Sequence, residues 1–164
     1  MRKLLLLLIL PCLLAAAPAA LAAPPTACGL LTQAEAAEAL GMPVSPGKPT
    51  GPNAIGQTIC FFSGEGDKAV HYVQLSLTLP PPRLRANMPA SRIFASSREM
   101  TAGAREISDL GDKAFWGGSG LKMGAGLHVL RGNYCFTVDV ASGDPEKNLA
   151  IAQKLARLVL QRLK

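Results

Sequence analysis

The last third of the chain constrains the fold most. "GLHVLR" and "YCFTVDV" are two alternating segments on either side of Gly132-Asn133, and "GDPEKNLAIAQKLARLVLQRLK" follows them. A Gly-Asn pair between alternating segments predicts a tight hairpin with positive φ in its turn. Its register sets Arg131 opposite Tyr134, Val129 opposite Phe136 and Leu127 opposite Val138, a mostly apolar face. The other face sets Leu130 opposite Cys135, His128 opposite Thr137 and Gly126 opposite Asp139.

The closing segment predicts a helix. Asp144 is placed to cap it, Pro145 to take its first position and Glu146 to sit against the positive end of its dipole. Leu149, Ala152, Ala156, Val159 and Leu163 recur at helical spacing, with Leu155 and Leu158 widening the stripe. So long an amphipathic helix must bury that stripe, and the sheet's inner face is the available partner.

Upstream, "LLTQAEAAEALGMP" predicts a helix over Gln33 to Leu40, with Thr32 and Glu35 as a capping box, Gly41 as the stop and Pro43 beyond. "VSPGKPTGPNAIGQ" carries too much proline and glycine for a helix or a central strand, so an extended loop is expected. "TICFFSG" and "HYVQLSLTL" then predict strands around the turn "GEGDK". In the second, Val73, Leu75, Leu77 and Leu79 point one way, and Tyr72, Gln74, Ser76 and Thr78 the other. "SRIFASSREMTAG" predicts a helix capped by Ser91 and stopped by Gly103, with Ile93, Phe94, Ser97 and Met100 near one side. "LGDKAFWGG" predicts a turn at Gly111-Asp112 and a short strand through Phe115 and Trp116. The expected class is α+β, an antiparallel sheet of about five strands with helices packed on one face and a long C-terminal helix.

The first residues read as an export signal. Arg2 and Lys3 precede an uncharged run, and Ala20-Leu21-Ala22 forms a small-x-small cleavage site. Residues 1–22 are assigned to the signal and 23–164 to one domain, with a structured core over 28–164, a normal single-domain length. The expected location is periplasmic or secreted. An uncleaved N-terminal anchor is opposed by Pro11, Pro18 and the alanine-rich end. For a lipoprotein, Cys28 lacks the large aliphatic residue three positions earlier, and Cys12, which has Ile9 at that place, adjoins Pro11 and follows a very short apolar stretch. The sequence carries 17 basic and 11 acidic residues, a mild positive bias even after the signal is removed. Nucleic acid is not an expected partner outside the cytoplasm, whereas acidic glycan or anionic lipid is electrostatically allowed, including peripheral membrane contact. A monomer with an unidentified envelope partner is expected.

Three cysteines remain beyond the signal, Cys28, Cys60 and Cys135, and in an oxidising compartment three single pairings are open. Cys28 with Cys60 would clip the first helix and its proline-rich loop to the next element, while Cys60 with Cys135 requires neighbouring strands. "CGLLTQAEAAEALG", the cysteine before an aromatic in "CFF", and "LGDKAFW" resemble a recurring pattern in small bacterial exported proteins of unknown function, several of them lipoproteins or sensor-like modules. That resemblance implies a Cys28–Cys60 disulfide. It brings no catalytic residues, and Cys135 has no counterpart in it.

For chemistry, the sharpest grouping is Cys135 and Asp139, both diagonal to His128 on one hairpin face, because a thiol beside a histidine oriented by a carboxylate is how a thiolate nucleophile is made. No oxyanion donors accompany them, so catalytic residues are not assigned. Arg83, Arg85, Arg92, Arg98 and Arg105 crowd a short region and are candidates for binding an anionic ligand, with a solvated charged face as the plainer reading. Two histidines, His71 and His128, without a close cysteine pair give no support for a metal, and no cofactor is implied. "GGSGLKMGAG" lacks the Lys-Ser/Thr of a phosphate loop and reads as a mobile loop or hairpin, and Ser119 is not in a nucleophile elbow. The reading is an exported envelope protein with a binding, sensing or structural role. Its alternative is a small envelope hydrolase or thiol enzyme using Cys135, His128 and Asp139.

Overall fold

The computed structural model describes residues 23–118 and 125–163, so the expected signal, with Cys12, lies outside them. The chain opens with a single turn, α1 (Ala27–Leu30), then α2 (Gln33–Leu40). The predicted capping box is formed: the Thr32 hydroxyl accepts from the Glu35 amide at 3.3 Å, and Glu35 Oε2 accepts from the Thr32 amide at 2.9 Å. Gly41 ends the helix with φ +66°, a conformation that costs a glycine little.

Strands β1 (Lys48–Thr50), β2 (Gln57–Ser63) and β3 (Tyr72–Thr78) follow, then α3 (Pro82–Arg85) and α4 (Ala90–Met100). Next come β4 (Arg105–Ile107), β5 (Lys113–Gly118), β6 (Ala125–Arg131), β7 (Tyr134–Ala141) and α5 (Pro145–Arg162). The seven strands form one sheet in the order β1-β2-β3-β7-β6-β5-β4, antiparallel at every pairing.

Among the described residues seven strands replace the expected five or so. The two extra ones are three-residue edge strands, and neither carries a buried alternation that could announce it. β1 lies inside the stretch expected to be loop, and its Pro49 is tolerated because an edge strand has one unpaired side. Two smaller expectations also change. α4 is entered from Pro89 rather than capped by Ser91, and Met100 at its end is exposed instead of packed.

One sheet face carries Cys60, Phe62, Val73, Leu75, Phe136 and Val138, and α5 covers it with Ala152, Leu155, Ala156 and Val159, all buried. α1 and α2 close the same core; α2 is tied to α5 by two ion pairs, Arg162 to Glu35 and Lys154 to Glu38, each at 2.6 Å, and Arg162 also donates to the Leu30 carbonyl of α1 at 2.8 Å. The disulfide joins Cys28 to Cys60 with Cα atoms 4.9 Å apart. With its sulfur in that bond, Cys28 has no thiol to accept a lipid. Cys60 and Cys135 are separated by the whole of β3 and face opposite sides of the sheet, so the alternative pairing is unavailable.

Helices cover both faces, not one. α4 lies on the second face, where Phe94 meets Phe115 edge-on at 5.1 Å and packs with Leu130 and Cys135. α4 is too short to cover that face fully. Among the described residues no helix is long and apolar enough to cross a membrane.

Candidate functional site

The hairpin register is the one expected from its turn: Leu130 opposite Cys135, His128 opposite Thr137, Gly126 opposite Asp139. Only Gly132 takes positive φ, +53°, as in a turn with glycine at the first central position. β3 then pairs with β7, setting Gln74 beside Asp139, and β5 pairs with β6, setting Gly117 beside Gly126. A single row therefore crosses the second face: Phe61, Gln74, Asp139, Gly126, Gly117.

The two glycines lower the floor at one end of this row. A Cβ on Gly126 would lie 2.5 Å from Asp139 Oδ1, 2.8 Å from Thr137 Cγ2 and 3.4 Å from His128 Nε2. Around the row is a cavity of about 570 Å³, with Phe61, Tyr72, Ala69 and Val70 on one side and Thr101, from the residue after α4, and His128 on the other. That volume is in the range of small-molecule sites. Phe61 and Tyr72 lie with ring centroids 5.4 Å apart. Val70 is 72% exposed, so an apolar side chain stands at the rim.

Asp139 is the charged centre. Its Oδ2 accepts from Gln74 Nε2 at 3.2 Å, while Oδ1 has no hydrogen-bond partner among the described residues. Burial pushes its carboxyl up to about 6, the Gln74 hydrogen bond opposing the shift. Tyr72 is raised as well, first by burial and then by the negative charge of Asp139.

His128 stacks on Phe115 with centroids 4.3 Å apart, and its Nδ1 is 3.0 Å from the Thr137 hydroxyl. Burial lowers it to about 4, so the ring is neutral at pH 7. Cys135 is 8% exposed. Burial pushes its thiol up to about 11 against an opposing hydrogen bond from Thr78. It lines a separate, smaller cavity of about 210 Å³ under α4, together with Thr78, Ile93 and Phe94, while Asp139 opens on the larger one. His128 borders both. The three residues singled out from sequence thus share a sheet face, yet the thiol and the carboxylate open on different spaces, and the histidine's hydrogen bond goes to Thr137.

The arginines are spread over α3, α4 and β4. Arg85 donates to the Pro80 carbonyl and Arg92 to the Asn87 carbonyl, both at 2.8 Å. Arg98 pairs with Glu106 at 2.7 Å and lies over the Phe115 ring, 5.8 Å from its centroid. Arg83 and Arg105 are exposed. His71 packs beside Gly143, away from the cavity. Ser119 and residues up to 124 of the glycine-rich stretch lie outside the described residues, and the strands on either side of it pair as a hairpin. Among the described residues no three His, Cys, Asp or Glu side chains gather in a metal-binding arrangement.

Phe61, Gln74, Tyr72 and Gly117 were not singled out from the sequence as site residues. Alternation does put Tyr72 and Gln74 on the face away from the main core, but nothing local says that this face meets Asp139. Comparison of the chain with protein-family models, with curated proteins and with solved structures gives no match in any of the three.

Proposed function

We propose that this chain is an exported cell-envelope protein that binds a small ligand on the second face of its sheet and performs no chemistry on it. The observation that supports this reading is the cavity over Gly117, Gly126 and Asp139, which has an apolar and aromatic wall and a small polar floor. Binding sites of this type combine apolar area for affinity with a few fixed polar groups for orientation. The thiol-enzyme alternative needs a thiolate and a base facing one space, and a thiol held near 11 under α4 is a poor nucleophile. The Cys28–Cys60 bond is compatible with an oxidising compartment.

Native mass spectrometry of protein recovered from the envelope fraction tests the reading. A mature chain starting near Ala23 and carrying a small molecule at one-to-one stoichiometry, lost in Asp139→Leu, is the expected outcome. A ligand-free protein, with no resonance of Phe61, Tyr72 or Gln74 shifting when envelope extract is added, overturns it.

A further inference from the structure

The cavity's chemistry narrows the class of ligand, an inference that rests on the binding role just proposed. Asp139 is the charged carboxyl in the row, and none of the described residues lining the cavity is a lysine or arginine. The ion pairs among the described residues lie elsewhere: Arg98 with Glu106, Arg131 with Asp112, Lys147 with Asp144, and the two pairs of α5 with α2. A carboxylate sunk in a cavity with a single amide donor is under-compensated, since burial costs an ion far more than one neutral hydrogen bond returns. Oδ1 stands in the place a side chain on Gly126 would take and has no donor of its own among the described residues, and Asp139 lines the cavity, so an incoming donor can reach it from there. On the same side of the sheet, Phe61 and Tyr72 offer aromatic surface, which suits either an apolar body or a cation.

We propose that the cavity takes a small organic cation, an amine with an apolar or aromatic body, whose ammonium group pairs with Asp139 and whose body lies against Phe61, Tyr72 and Val70. The whole sequence has a formal net charge of +6, which opposes a cation at long range. Screening limits that opposition to roughly 8 Å at physiological salt, so contact with a half-buried carboxylate dominates. A neutral alcohol would satisfy Oδ1 but leave the charge uncompensated, and a carboxylate ligand would meet like charge.

Among the described residues, the ionisable groups facing Asp139 are Tyr72 from β3 and His128 from β6. Tyr72 is raised and stays neutral at pH 5 to 8, and His128, held near 4, is neutral over the same range. The neighbouring β2, the β2–β3 connection and the segment after α4 bring Phe61, Ala69, Val70 and Thr101, none of which titrates. Cation binding in that range therefore follows the ionisation of Asp139, and affinity rises with pH through about 6.

A matched series tests this: phenylbutylamine, phenylbutanol and phenylbutyrate, titrated into the full mature chain by calorimetry, with NMR following Phe61, Tyr72 and Gln74. The amine is expected to bind about tenfold or more tightly than the alcohol at pH 7.5, and to lose about tenfold at pH 5, where roughly a tenth of the sites are ionised. Asp139→Asn should abolish the preference of the amine over the alcohol. The pH series on the unaltered chain carries the test if that variant does not fold. Equal binding of amine and alcohol, with the same resonances shifting, overturns the cation while the binding role stands. No shift with any of the three overturns the cation and removes the support for the binding role as well.

Discussion

Asp139 and Gly126 face each other across the β6–β7 ladder so closely that a methyl group on Gly126 would lie 2.5 Å from Asp139 Oδ1. The glycine is thus what gives the carboxylate room to stand over the sheet. Its neighbour in the next strand, Gly117, plays the same part for the segment after α4, whose Thr101 and Ala104 lie over it.

Gly126→Ala should turn the Asp139 carboxylate toward the cavity mouth, because the carboxylate can swing while Thr137 is held in its strand. Destabilisation of about 1–2 kcal/mol is expected from the overpacking. The Asp139 carboxyl should move down from about 6 toward the ordinary carboxylate range as it gains water. Urea unfolding and a carboxyl NMR titration measure the two effects, and an unchanged titration midpoint would show that the glycine does not set the carboxylate's position.

Asp139→Asn should stabilise the ligand-free protein at pH 8 and have little effect at pH 4. The folded state holds the Asp139 proton more tightly than the unfolded chain, with a pKa near 6 instead of 3.8. Its charge therefore costs stability progressively as pH rises from about 4 through 6, and asparagine removes that cost. A gain of about 1–2 kcal/mol at pH 8 is expected, and a variant that is less stable at pH 8 than at pH 4, relative to the parent, contradicts it.

Cys135 should react with iodoacetamide in the native protein on the order of a hundredfold more slowly than a free cysteine at pH 7.5, since burial both raises its pKa and blocks access. His128→Ala should leave that slow rate within a few-fold of the parent, because the Nδ1 contact of His128 is to Thr137. Rapid labelling that His128→Ala slows would revive the thiol-enzyme alternative.

Loss of the disulfide, in Cys28→Ala with Cys60→Ala, should cost about 3–4 kcal/mol, as expected from a cross-link spanning 32 residues. Thermal unfolding with and without reductant gives an independent measure on the parent chain. Resistance of the melting temperature to full reduction would show that packing and the polar contacts to α5 hold α1 and α2 without the cross-link.

Arg162 holds Glu35 down to about 2 through its hydrogen bonds, with the Thr32 cap assisting against some burial. A carboxylate with a depressed folded pKa stabilises fully above its unfolded value near 4.5, and that share is lost as pH falls through about 2. Glu35→Gln should cost about 1 kcal/mol at pH 7, and the difference from the parent should shrink between pH 4.5 and 2. A pH-independent difference would mean that the cap alone, and not the charge, is responsible.

What was legible in the chain was local. Thr32, Glu35 and Gly41 marked α2 to the residue, since capping is decided within a few positions. Gly132-Asn133 fixed which residues of β6 and β7 oppose each other, because a two-residue turn leaves one register. The α5 stripe declared an apolar face that had to be buried. β1 and β4 were silent, being held in the sheet by their neighbours and not by any pattern of their own.

By itself, then, the sequence determined the ends of α2, the start of α5, the hairpin, the faces of its strands and the need to bury the α5 stripe on the sheet. Tertiary structure decided that β3 docks beside β7, bringing Gln74 to Asp139 across 65 residues of chain. It also decided that α4 covers only part of the second face, leaving the cavity open. Short-range sterics and hydrogen bonds fix backbone angles and adjacent pairings. The choice among distant pairings depends on the apolar area that the whole chain can bury against the cost of closing long loops, a sum that no local segment contains.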